Sequence, residues 1–163
     1  MSAESFLFQA CVAGLFATAV LDIWQRLVHA ATGIPPANWG LIGRWFAWLP
    51  RGRLVHTPIG DTAAVQGELA LGWAMHYLVG LAYGFAYVGL IVYGLERQPS
   101  LLNGLVFGAC SVVIPWFILQ PGLGIGVMGR KTPRPAIPIL NALSNHLVYG
   151  VALFAGAWLA AGI

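Results

Sequence analysis

The chain has 163 residues, of which 59% are hydrophobic, eight are basic and five are acidic. About a quarter of the residues of a soluble domain are charged, so this composition, with a mean hydropathy of +0.79, excludes a water-soluble globular protein. The net charge of +3 comes largely from loops between apolar segments, so a nucleic-acid partner is not needed to explain it.

Four long apolar segments predict an all-α integral membrane bundle of four transmembrane helices. They cover residues about 6–28, 69–93, 101–119 and 137–161, each near the ~20 residues that cross a bilayer as a helix. Strands of a membrane barrel alternate apolar and polar residues, whereas these segments are apolar at consecutive positions. The first has no basic residue before it and carries Glu4, so we expect a mature helix and not a signal peptide. We expect one four-helix transmembrane domain over residues 1–163.

The first inner loop, residues 30–66, is long for a connection inside a compact bundle and is expected to have structure of its own. Its middle is rich in tryptophan and aliphatic residues around Arg44, followed by Pro50, Arg51 and Arg53. This pattern predicts an interfacial amphipathic helix in the plane of the lipid headgroups.

The basic residues indicate the orientation of the helices. Most of them end the first segment or lie in the two longer loops: Arg26, Arg44, Arg51, Arg53, Arg130, Lys131 and Arg134. Because basic loops stay in the cytoplasm, loops 30–66 and 120–136 are expected to face inward. Both termini are then periplasmic, in a bacterial inner membrane. Arg130, Lys131 and Arg134 lie in a glycine-rich loop and are candidates for binding an anionic lipid headgroup.

The third segment contains Pro115, which cannot donate a hydrogen bond to the carbonyl of Ser111. This predicts a kink near the middle of the membrane. A short turn at residues 98–100 joins the second and third segments, which are therefore expected to be antiparallel neighbours.

The second and fourth segments share a local pattern around one histidine each. Residues four positions on either side of each histidine are small: Gly72, His76 and Gly80 in the second segment, and Ala142, His146 and Gly150 in the fourth. His76 lies about seven residues and His146 about nine residues after the start of its segment, so both imidazoles are expected at one depth. The matching features suggest two helical-hairpin repeats.

Small residues at every fourth position predict faces where a helix or a flat ligand approaches the backbone closely. The pairs Gly80 with Gly84 and Gly104 with Gly108 extend these faces. Cys11 and Cys110 lie inside apolar segments without metal-ligand spacing and are interpreted as small packing residues. Such faces outnumber the contacts of one small bundle, so we expect a homo-oligomer or a subunit of a membrane complex.

Polar side chains in hydrocarbon normally face the interior of a bundle. We therefore expect a polar pocket near the cytoplasmic side, capped by the two inner loops. Its candidate ligand-binding or cofactor residues are His76, His146, Asn145, Asn141 and Gln120, with Ser111 nearby. Asp22 and Glu68 lie at the ends of their segments in the same half of the membrane and are further candidates.

Several interpretations of this pocket are open. The first is a ligand-binding or transport-type protein. Two neutral imidazoles at one depth are also what bis-axial ligation of a haem, or half of a metal site, requires. A third interpretation is a structural accessory subunit of a larger membrane complex. In the simplest alternative each histidine only bonds a neighbouring group and orders the helices. No serine, histidine and aspartate arrangement with recognisable spacing is present, so the sequence gives no support for a hydrolase.

A set of short motifs is spread over most of the chain: Gly43-Arg44-Trp45, His56, Gly67-Glu68, Gly72-Trp73, His76-Tyr77, Gln120-Pro121-Gly122, Thr132-Pro133 and His146. In these motifs the sequence resembles a bacterial inner-membrane family classified as domain of unknown function 2938. The resemblance implies an inner-membrane location and four helices, and no activity. It also implies that His56, Arg44 and Glu68 join the two membrane histidines as candidate site residues.

Overall fold

A computed structural model describes residues 2–162. Residues 2–162 contain no β-strand. Four helices are long and apolar enough to cross a membrane, and we call them spans 1 to 4 in chain order: Ala3–Thr32, Glu68–Gly94, Leu101–Gly122 and Ala136–Ala161. A shorter helix, Trp39–Trp48, follows span 1 and is called the loop helix. The all-α fold with four spans is confirmed, and the loop helix lies where the amphipathic helix is predicted.

Local capping explains where the first two helices begin and end. The Ser2 side chain accepts a hydrogen bond from the Ser5 backbone N–H, and Gly33 ends span 1 in a left-handed conformation with φ 73°, which glycine adopts without steric strain. Asn38 caps the loop helix by accepting from Leu41 N–H. Span 1 extends past the predicted end at residue 28 to Thr32, whose Oγ1 donates to the carbonyl of Val28 in the last turn.

Two spans contain π-helical segments. Span 2 ends as a π-helix over Gly89–Gly94, and span 3 contains one over Pro115–Leu119. Pro115, where the sequence predicts a kink, is the first residue of the second segment. Since Pro115 has no N–H, the backbone there departs from the regular α-helical hydrogen-bond pattern.

The described chain divides into two compact units. Unit 1 comprises residues 2–36, 77–111 and 145–162, and unit 2 comprises residues 37–76 and 112–144. Spans 2, 3 and 4 each contribute residues to both units, so the division passes through helices. The single domain over residues 1–163 stays a prediction.

Unit 1 is a set of closely packed helices. Its core joins alanines of span 1 to larger side chains of spans 2 and 4 and to two alanines of span 4: Ala10, Ala13, Ala17, Tyr87, Val88, Ile91, Tyr149, Ala152, Leu153 and Ala157. A Cβ added to Gly84 would lie 2.7 Å from the Gly14 nitrogen, and one added to Gly104 would lie 2.6 Å from the carbonyl oxygen of Gly150. The small residues therefore form helix contacts, as predicted.

Unit 2 contains the loop helix, most of both longer loops and the adjoining ends of spans 2 to 4. Gly43 of the loop helix lies against span 2, where an added Cβ would be 2.6 Å from the nitrogen of Gly72. The two loops are joined by backbone hydrogen bonds from His56 N–H to the Gly122 carbonyl and from Ile59 N–H to the Leu123 carbonyl, both 3.0 Å.

Candidate functional site

The predicted site residues fall into both units. Unit 1 holds Asp22, Asn145 and His146; unit 2 holds Arg44, His56, Glu68, His76, Gln120, Arg130, Lys131, Arg134 and Asn141. The pocket predicted from the two histidines and their neighbours stays a prediction, and the polar groups of each unit are described separately.

Arg44 and Glu68 form a two-pronged ion pair in unit 2. Arg44 Nη2 donates to Glu68 Oε1 at 2.7 Å and Nε donates to Oε2 at 2.8 Å. The two side chains are 11% and 20% exposed. The remaining nitrogen, Nη1, donates to the carbonyl of Thr62 at 2.9 Å, and Glu68 also accepts from Val65 N–H. This pair fastens the loop helix to the start of span 2 and holds the chain between them.

The contact with Glu68 also changes the pKa of Arg44. The hydrogen bonds that Arg44 donates to Glu68 raise the pKa of Arg44 above its ordinary value, and burial acts in the opposite direction. Arg44 is therefore a permanent cation whose charge is matched by Glu68. This arrangement has the character of a structural clamp.

His56 is the most deeply buried ionisable side chain of the connecting loops, at 1% exposure. Its Nδ1 lies 2.8 Å from Thr62 Oγ1, and its Nε2 makes no hydrogen bond of normal geometry within the described chain. Burial lowers the pKa of His56 and the charge of Arg53 lowers it further, while the Arg53 backbone offsets part of the change. His56 is therefore expected to be neutral at physiological pH.

His76 and Gln120 have different surroundings in unit 2. The His76 ring stacks on Trp39 of the loop helix, with ring centroids 3.8 Å apart and planes inclined by 25°. Gln120 is 8% exposed; its Nε2 donates to the Pro138 carbonyl at 3.4 Å, and its Oε1 has no partner within the described chain. The stacked Trp39 was not predicted, because 37 positions separate it from His76.

His146 in unit 1 is held by a neighbouring span. Ser111 Oγ donates to the Gly108 carbonyl at 2.8 Å and lies 2.8 Å from His146 Nδ1. A hydroxyl has one proton. Because Ser111 gives it to Gly108, the short contact requires that His146 Nδ1 is the donor. A neutral His146 therefore carries its lone pair on Nε2.

The surroundings of His146 are aromatic and polar. The Tyr83 ring lies edge-on to the imidazole, with centroids 6.2 Å apart. The adjacent residue, Asn145, has a buried Oδ1 without a hydrogen-bond partner in the described chain. Tyr149, on the same span, donates to the Gly80 carbonyl at 3.0 Å and so joins spans 2 and 4.

The remaining candidates are placed at helix ends and in the second inner loop. Asp22 accepts a hydrogen bond from Tyr77 Oη at 3.1 Å. Arg130, Lys131 and Arg134 are exposed and follow a glycine-rich turn in which Gly124 and Gly126 have φ values of 89° and 80°. Asn141 lies on span 4, where its backbone carbonyl accepts from Ser144 Oγ.

Sequence reasoning missed Thr62 and Tyr77 as partners of candidate residues. Thr62 lies six positions after His56 in an irregular loop, and no periodic pattern indicates the contact. Tyr77 is adjacent to His76, but its bond to Asp22 joins residues 55 positions apart. Within residues 2–162, no three His, Cys, Asp or Glu side chains are grouped so that they could hold a metal ion.

Comparison with known protein families identifies the family of this chain. A family model described as a protein of unknown function, DUF2938, matches residues 11–160. No curated protein and no solved structure shows a significant match to the chain.

Proposed function

The chain belongs to the DUF2938 family, and on that premise we propose that it is a ligand-binding membrane protein of the transport type. The family description assigns no activity, so the proposal depends on the chemistry of the buried side chains. We also propose that it resides in a bacterial inner membrane with both termini in the periplasm, as the basic loops predict.

The observation that carries this proposal is the polar pair Asn145 and His146 within span 4. Asn145 Oδ1 is buried without a hydrogen-bond partner in the described chain, although such an atom normally has one. His146 is fixed by Ser111 so that its neutral form carries a lone pair on Nε2. Polar groups at membrane depth are unfavourable unless they are satisfied, and they often mark solute paths.

The chemistry of the two atoms defines the class of ligand. Asn145 Oδ1 and the unprotonated Nε2 of His146 are both hydrogen-bond acceptors. Each is complementary to an N–H or O–H group of a small polar solute. A solute with only acceptor atoms has no complementary group to offer them.

Purification from native membranes followed by mass spectrometry of the bound small molecules tests the proposal. The variants are Asn145→Leu and His146→Leu, with Leu140→Ala as the control, since Leu140 is 62% exposed on the same span. We expect a polar molecule with the wild type and the control, and its loss from both variants. The same set of molecules in all four samples would overturn the proposal.

A milder variant guards against loss of folding. Ser111→Ala removes only the hydroxyl that accepts the His146 proton. The proton of neutral His146 can then be on Nδ1 or on Nε2, so the lone pair is no longer confined to Nε2. We expect weaker retention of the molecule in a protein that still elutes as one folded species. If folded Ser111→Ala retained the bound molecule as well as the wild type, the His146 lone pair would have no role in binding it.

A second candidate function is that of a haem-binding redox protein. The geometry of His146 favours it, because an imidazole that donates through Nδ1 and carries its lone pair on Nε2 is the form that ligates haem iron. The sequence prediction names His76 as the other ligand. A Soret band in the wild-type protein that is lost in the His76→Ala, His146→Ala variant supports this candidate, and a colourless wild-type preparation ends it.

The same purification distinguishes a structural accessory subunit from the proposed ligand-binding protein. Another protein retained at fixed stoichiometry would support a subunit of a larger complex. A lone homo-oligomer that melts at a higher temperature with its bound molecule would support the ligand-binding proposal instead.

A further inference from the structure

The end of the loop helix and the residues after it form an exposed basic and aromatic surface in unit 2. We call residues 48–55 the arginine surface. The guanidinium carbons of Arg51 and Arg53 lie 5.0 and 5.7 Å from the ring centroid of Trp48. Both distances are within the range of a cation–π contact, so one indole holds two positive charges close together.

These two charges have no acidic partner in the described chain. The ion pair between acidic and basic side chains of unit 2 joins Arg44 to Glu68. Arg51 Nη1 donates to the carbonyl of Ala47 at the end of the loop helix, and the Arg53 side chain makes no hydrogen bond to residues 2–162. Two guanidinium groups therefore face outward with most of their donors available to an anion.

The arginines are followed directly by apolar residues that also face outward. Leu54 and Val55 are 61% and 60% exposed. Positive charge, an indole and exposed aliphatic side chains within eight residues match the layers of a membrane surface. There, phosphates lie above the glycerol and acyl groups, and tryptophan is enriched between them.

We propose that the arginine surface is a binding site for the headgroup of an anionic phospholipid. The guanidinium groups of Arg51 and Arg53 bind the phosphate, Trp48 holds them in position, and Leu54 and Val55 contact the first part of the acyl chains. The site uses none of the residues of the Asn145 and His146 pair and does not depend on the function proposed for that pair.

Native mass spectrometry of the protein in mixed micelles of phosphatidylglycerol and phosphatidylcholine tests this site. The two lipids differ in net charge, so their retained ratio measures selectivity for the anionic headgroup. Each basic residue near an anionic surface changes affinity about fivefold. We expect the wild type to prefer phosphatidylglycerol and Arg51→Gln, Arg53→Gln to lose most of that preference.

Two further variants make the result decisive. Arg97→Gln removes one positive charge outside the arginine surface and is expected to keep the wild-type ratio. Arg53→Gln alone disturbs no side-chain hydrogen bond and is expected to reduce the ratio about fivefold. An unchanged ratio in the folded double variant, or an equal reduction in Arg97→Gln, would overturn the proposal.

Discussion

At the scale of single residues, the buried polar side chains of this protein differ in whether all of their polar atoms have hydrogen-bond partners. Arg44 and Glu68 satisfy each other and several backbone groups. His56 and Asn145 each retain one buried atom without a hydrogen bond in the described chain. Arg44 and Glu68 are therefore expected to govern stability, whereas Asn145 is better suited to bind a ligand.

Removal of one partner of the ion pair should destabilise unit 2. Arg44→Ala removes the guanidinium donors of the Glu68 carboxylate and of the Thr62 carbonyl, and lost hydrogen bonds to a charged group are worth about 2 kcal/mol. We expect a lower apparent melting temperature in detergent than for the wild type. Arg97→Ala, which removes a charge elsewhere, is the control, and equal melting temperatures for the two variants would contradict the clamp.

His56 should make stability depend on pH. Its pKa in the folded chain is lowered by burial and by Arg53, so below the ordinary value of 6.5 the unfolded chain binds a proton that the folded chain does not. The stabilising effect is thus complete above that value and is lost as pH falls towards the folded pKa.

Melting curves between about pH 7.5 and about pH 5.5 measure this effect. The wild-type melting temperature should fall more steeply with acidification than that of His56→Gln, which has no group to protonate. Arg53→Gln removes one cause of the lowered pKa and should give an intermediate slope. Parallel curves for the wild type and His56→Gln would show that His56 titrates alike in both states.

At the scale of elements, glycine determines how closely the spans pack. In unit 1, Gly84 of span 2 lies against Gly14 of span 1, and Gly104 of span 3 lies against Gly150 of span 4. Without a hydrophobic driving force between helices in lipid, close backbone contact supplies much of the attraction. In unit 2, the same use of glycine brings the loop helix onto span 2 at Gly43 and Gly72.

Two glycines of span 2 offer a matched comparison. A Cβ at Gly84 would contact the Ala10 carbonyl and lie 2.7 Å from the Gly14 nitrogen, whereas a Cβ at Gly89 meets nothing closer than Phe6 at 3.9 Å. Gly84→Ala should therefore separate spans 1 and 2 and destabilise the protein by roughly 1–3 kcal/mol. Gly89→Ala should melt at or near the wild-type temperature, and an equal loss in both variants would argue against the close contact.

At the scale of the whole molecule, the distribution of basic residues predicts the orientation of the chain in the membrane. Unit 2 contains six of the eight Lys and Arg residues: Arg44, Arg51, Arg53, Arg130, Lys131 and Arg134. The two backbone hydrogen bonds between its loops require both loops to be on one side of the membrane. The chain crosses the membrane twice between the two loops, through spans 2 and 3, and two crossings return it to the same side.

Fusions to a phosphatase that is active only in the periplasm can determine the orientation. We expect activity for a fusion after Ile163 and for one inserted at Gln98, and none for insertions at Gly52 or Arg130. The opposite pattern would place unit 2 on the periplasmic side and would reverse the orientation inferred from charge.

Sequence alone determined the number of spans, their approximate limits and the position of the loop helix. Each of these depends on the transfer of consecutive residues from water to lipid, or on caps such as Asn38, and both are local properties. The glycine faces were also predictable, since their period matches the helical repeat.

Only the tertiary structure decided which polar groups meet. Arg44 pairs with Glu68 over 24 positions, and Ser111 reaches His146 over 35. Neither separation follows from a local period. Such contacts depend on which faces of two helices turn towards each other, and in a uniformly apolar sequence hydrophobicity does not specify that rotation. Close packing of small residues and a few hydrogen bonds specify it instead.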